Sequence, residues 1–195
     1  MEVFQEALAH LEANKSNALN FDSHNGCFST CDFDDILKET VKVNEFGIEG
    51  LQQFGVSMTA QDPMAKIEAT KKAIASFLGY ADSFDAIRRI LLDNYPGLEN
   101  PCEIPANATC DMAAVVGLLT KAQPVAQELF DSFFNRVPDL KDSSQCKQIV
   151  AETVALNSRA ACDARILASI VSSCIPPMAE PVPETKGEPA CSCKH

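Results

Sequence analysis

The stretch Ser144–Cys174, SQCKQIVAETVALNSRAACDARILASIVSSC, decides the fold. Ile149, Val150, Val154, Ala161, Ile166, Leu167, Ile170 and Val171 recur at steps of three and four, the spacing of one face of an α-helix. Three of the nine cysteines, Cys146, Cys162 and Cys174, lie on it. Twelve residues separate Cys162 from Cys174, about 18 Å along a helix axis at about 1.5 Å per residue. A disulfide needs Cα atoms within about 7 Å, so these three cannot pair with one another. Each must reach another segment, and the cysteines available for that are Cys27, Cys31, Cys102 and Cys110. The last helix then acts as a spine with loops pinned to it. A local Cys102–Cys110 bridge is the competing assignment. Seven cysteines precede the tail, so one stays unpaired unless the tail takes part.

Working back along the chain, nearly every segment reads as helix. Phe4, Ala7, Leu8 and Leu11 share a face, and a loop is expected from about Ser16 to Asp35. Asp34 and Asp35 read as the N-terminal cap of a helix to about Phe46, interrupted by Gly47 and Gly50. Asp62-Pro63 is the clearest start signal, with Gly79 as a C-terminal cap and a further helix that Ser83 opens and that ends before Tyr95-Pro96-Gly97. After a loop rich in Pro and Asn, Asp111 opens a run that Pro124 kinks or divides. No alternating strand pattern occurs. The expected fold is all-α: a compact bundle of about five to seven helices over 1–175, pinned by disulfides. Residues 176–195 read as a disordered Pro-rich tail that ends in Cys-Ser-Cys-Lys-His.

Composition narrows the function. The 195 residues are 46% hydrophobic, too rich for a disordered chain, and contain no run long enough to span a membrane. Sixteen basic and 27 acidic side chains give a net charge of −11, which argues against nucleic acid as a partner. Residues 1–60 hold ten acidic and three basic side chains, so the acidity concentrates around the Cys27/Cys31 loop as a recognition face for a basic partner or cation.

Widely spaced cysteines, together with the sequons at Asn107 and Asn14, predict a secreted or lumenal glycoprotein. Residues 2–17 are charged and amphipathic, unlike a signal peptide, so on this reading the chain is a mature form.

The chain carries no GxSxG, HExxH, Walker A or dinucleotide glycine motif. His24 beside Cys27 is the single Cys–His neighbourhood in a loop, and a surface histidine is the simpler account of it. The carboxylates of the same loop fail the EF-hand pattern: with Gly26 sixth, the third and fifth positions are not acidic. No enzyme activity and no cofactor are predicted.

Eleven phenylalanines offer an apolar pocket for a lipid or pigment, with Phe130, Phe133, Phe134, Met112 and Val116 as its candidate walls. Ordinary core packing is the simpler account of phenylalanines at helical spacing. Cys191, Cys193 and His195 form a weak candidate for a soft metal ion, or a point where copies crosslink. The sequence therefore predicts a non-enzymatic helical binding protein for an apolar small molecule or a protein partner. The alternative is a surface or assembly protein crosslinked into an oligomer through its tail cysteines.

Overall fold

A computed structural model describes residues 2–21, 27–95, 102–136 and 143–175, with the side chains at 123, 133–135 and 143 outside the description. The expected tail, 176–195, lies outside the described residues. Five helices follow in order: α1 (Glu2–Leu19), α2 (Thr30–Thr59), α3 (Pro63–Asn94), α4 (Met112–Phe130) and α5 (Ser143–Ser173). A π-helical turn, Asp131–Arg136, extends α4. Among the described residues there is no strand, and no helix is long and apolar enough to cross a membrane.

Each start has a local cause. Ser29 caps α2, its Oγ accepting from Asp32 N at 3.1 Å, so the helix begins earlier than an Asp34–Asp35 cap predicts. Asp62 accepts from Ala65 N at 2.8 Å with Pro63 in the first turn of α3, as the sequence leads one to expect. Asp111 accepts from the amides of Ala113 and Ala114 at 2.9 and 3.2 Å.

The glycines read as helix breaks are packing holes. α2 runs through Gly47 and Gly50, and α3 runs through Gly79. A Cβ at Gly50 would stand 2.7 Å from the Phe77 ring, and one at Gly79 would stand 2.7 Å from the Phe46 ring. The two long antiparallel helices thus exchange rings for glycines. Close approach of two buried surfaces outweighs the helix-propensity cost of about 1 kcal/mol per glycine. Pro124 sits inside α4 without dividing it.

The core forms two apolar clusters along the bundle. One gathers Phe33, Ile36, Phe84, Leu91, Val150 and Val154 near the start of α5. The other gathers Leu51, Phe77, Val115, Leu167 and Val171 towards its end.

Three disulfides lock this arrangement: Cys27–Cys146, Cys102–Cys162 and Cys110–Cys174. Two end on α5 and the third on Cys174 immediately after it, which makes α5 the spine expected from its sequence. The local Cys102–Cys110 alternative does not form. The segment between those two residues is fastened to α5 at both ends instead. Cys31, the remaining bridge candidate, is free and exposed, because only Cys27 of that pair lies against α5. Tyr95 Oη donates to Cys27 O at 2.9 Å, and its ring meets Phe28 edge-on at 5.8 Å, which ties the end of α3 to the same corner.

Candidate functional site

All five helices contribute to a cavity of about 70 Å³ at the junction of the two clusters. Ala7, His10, Leu11 and Asn14 come from α1, Gly47 and Leu51 from α2, and Phe77 and Tyr80 from α3. α4 adds Leu118, Leu119, Ala122, Val125 and Ala126; α5 adds Ala160, Asp163, Ala164 and Leu167. A second chamber of about 50 Å³ adjoins it, and the two share Leu11, Asn14, Tyr80 and Ala126 as walls. Each is several times the roughly 10–15 Å³ that one water requires. Small residues explain the space: alanines at 7, 122, 126, 160 and 164 and Gly47 stand where larger side chains would fill it.

The larger chamber is apolar with a few polar tips. Tyr80 lies deep, and its hydroxyl is held protonated well beyond the usual tyrosine range by burial and by the nearby Asp163 carboxylate. Asp163 is itself raised, through burial partly offset by Arg159 and Lys121. Arg159 Nε lies 3.9 Å from Asp163 Oδ2 at the surface. His10 is exposed at the edge.

The smaller chamber is lined by Thr40, Val43 and Asn44 of α2, by Phe84 and Ile87 of α3, by Leu129 and Phe130 of α4, and by Thr153 and Asn157 of α5. Asn157 is 1% exposed, and its Oδ1 is the one buried side-chain polar atom among the described residues that has no hydrogen-bond partner.

The sequence-derived pocket residues fare unevenly. Phe130 lines the smaller chamber. Met112 and Val116 do not line either one. They are 39% and 37% exposed on the flank of α4, while Val115 and Leu119 of the same stripe are buried. A stripe at steps of three and four is wider than the contact face of the helix, and its edge residues fall outside. The side chains of Phe133 and Phe134 lie outside the described residues.

Asn14 is buried at 7% on α1 as a wall of both chambers, so a glycan there has no room in the folded chain. Asn107 is exposed on the segment that joins α3 to α4. His24, Cys191, Cys193 and His195 lie outside the described residues. Among those described, no three His, Cys, Asp or Glu side chains gather as a metal site.

Sequence reasoning missed Tyr80, Asn44 and Asn157. The signal was present: Thr40-x3-Asn44 and Thr153-x3-Asn157 place polar side chains on otherwise apolar helix faces. Comparison with protein-family models, curated proteins and solved structures finds no match.

Proposed function

We propose that this chain is a secreted, non-enzymatic carrier that holds an apolar small molecule in the two adjoining chambers. The observation that carries the reading is a cavity at the centre of a disulfide-locked bundle, walled by alanine, leucine and phenylalanine. Packed cores of this size ordinarily leave few voids larger than a water molecule. Three long-range disulfides fasten the preceding segments to α5, and such bridges persist in oxidising compartments. The test is native mass spectrometry of protein made in a secretory host, paired with titration of the apolar fluorophore N-phenyl-1-naphthylamine. A retained apolar adduct or saturable one-to-one uptake is expected. A bare polypeptide mass with no saturable uptake would overturn it.

The rival reading, an assembly protein crosslinked through cysteines, draws on the exposed free thiol of Cys31 as well as on the tail. It requires disulfide-linked multimers on a non-reducing gel, lost in Cys31→Ser or in the tail double variant Cys191→Ser/Cys193→Ser.

A further inference from the structure

Two of the four residues that line both chambers are polar: Asn14 of α1 and Tyr80 of α3. Neither the Asn14 amide nor the Tyr80 hydroxyl makes a hydrogen bond among the described residues. They differ from Asn157 Oδ1, which is closed off even from water. The unpaired polar atoms of Asn14 and Tyr80 stay within reach of a group the size of water. Unpaired polar groups among apolar walls are costly, and leucine at 14 with phenylalanine at 80 would avoid that cost at similar size.

The Tyr80 ring is held in place. It meets Phe84 of its own helix edge-on at 4.8 Å, and it packs against both apolar clusters. On α2, a Cβ at Gly47 would stand 3.1 Å from Tyr80 Cε2, so the absence of a side chain at 47 makes room for the ring. Burial and the Asp163 carboxylate both oppose ionisation of the phenol, which therefore always carries a hydrogen to donate. The Asn14 amide adds its own N–H hydrogens on the same shared walls. What these walls lack is an acceptor, and unpaired buried donors are rarer in folded chains than under-used acceptors.

We propose that Tyr80 is the recognition point of the site, its hydroxyl donating to the carbonyl oxygen of a neutral apolar ketone, with Asn14 as the second donor on the walls that the chambers share. This rests on the carrier reading above and names the polar group of its ligand. A hydrocarbon would leave the Tyr80 hydrogen unpaired. A carboxylate would bring a second negative charge beside Asp163, which lines the larger chamber. An ammonium could pair with Asp163 but has no lone pair for Tyr80.

The experiment displaces N-phenyl-1-naphthylamine from the full, oxidised chain with 4-heptanone and with toluene, which has no accepting oxygen. Tyr80→Phe keeps the ring and removes only the hydroxyl, and circular dichroism confirms its fold. The variant is expected to bind 4-heptanone about tenfold more weakly and to keep its affinity for toluene. The carbonyl stretch of ¹³C-labelled 4-heptanone bound to the wild-type chain should lie below its position in hexane, and should return towards that position in Tyr80→Phe. Unchanged ketone binding in the folded variant would overturn the assignment, since the hydroxyl would then serve water alone, and the carrier reading would stand. Equal losses for ketone and toluene would overturn it as well, by showing a packing role. Should the variant not fold, the infrared band of the wild-type complex decides: a carbonyl stretch at its hexane position overturns the hydrogen bond. No saturable uptake of the naphthylamine itself would overturn both readings.

Discussion

Gly50 of α2 lies under the ring of Phe77 of α3: a methyl group at position 50 would stand 2.7 Å from Phe77 Cε1. The ring is 4% exposed and walls the larger chamber, so a methyl group at position 50 would push it towards that space and out of its present packing. Gly50→Ala is expected to destabilise the chain by about 1–3 kcal/mol through overpacking, despite alanine's better helix propensity. A methyl group at Gly55 on the same helix would meet nothing within 4 Å, so Gly55→Ala should stabilise by about 0.5–1 kcal/mol. Urea denaturation of the oxidised proteins checks both. Shifts of the same sign would contradict the packing role of Gly50.

Cys27 and Cys146 are 119 residues apart in sequence, and the other two bridges span 60 and 64. Closing loops of this length restricts the unfolded chain by about 4–5 kcal/mol per bridge on chain-entropy grounds, with measured losses of about 2–5 kcal/mol. Replacing both cysteines of any one bridge by serine should therefore lower stability within that range. Releasing α5 should also loosen the cavity walls and weaken apolar uptake. Peptide mapping under non-reducing conditions checks the pairing, and a Cys102–Cys110 peptide would contradict it.

Arg165 on α5 reaches across to α3, with Nη2 at 3.1 Å from Asp82 Oδ1 and 2.5 Å from Asp85 Oδ2. The Asp85 side chain is 22% exposed and the Asp82 side chain 75%, so water screens the Asp82 contact far more. A double-mutant cycle of Arg165→Ala with Asp85→Ala should give a coupling of about 1 kcal/mol. The corresponding cycle with Asp82→Ala should give close to none.

Asp163 combines a chamber wall with a raised carboxyl, and burial is the main cause. A carboxyl raised in the folded state contributes stability that is fully present below its unfolded value and is lost as pH rises through the folded one. At about pH 7 the ionised group therefore costs stability, and its surface pair with Arg159 does little to offset this. Asp163→Asn should be more stable than the wild-type chain at about pH 7, with the gain vanishing at about pH 3. Thermal melts at the two pH values check the sign. A gain that persists at the lower pH would point to packing, not charge.

The helical class and the role of α5 were legible because period and cysteine position obey rigid geometry: three cysteines on one helix cannot pair among themselves. What was not legible depends on neighbours. Gly47, Gly50 and Gly79 resemble breaks in one dimension and become holes only when Leu11, Phe77 and Phe46 approach from other helices. Phenylalanines drew attention to a pocket, yet the space of the cavity comes from alanines, which carry no signal until five helices converge. Met112 and Val116 fell outside because a stripe does not reveal which of its edges faces the core. Asn44 and Asn157 were readable as polar residues on apolar faces, but only the fold places them in one chamber.

Ala126 is one of the four walls that the two chambers share, and a larger side chain there would occupy the space a ligand needs. Each added methylene buried in an existing void contributes about 0.8 kcal/mol, so the substitution stabilises as long as the new group fits without strain. Ala126→Leu is expected to raise stability by about 0.5–2 kcal/mol and to weaken N-phenyl-1-naphthylamine uptake about tenfold or more. Met112→Ala, on the exposed flank of the same helix, should leave uptake unchanged. Fluorescence titration and thermal melts of the two variants check this pair. Unchanged uptake in a stabilised Ala126→Leu would show that the apolar molecule binds elsewhere, because the filled wall belongs to both chambers.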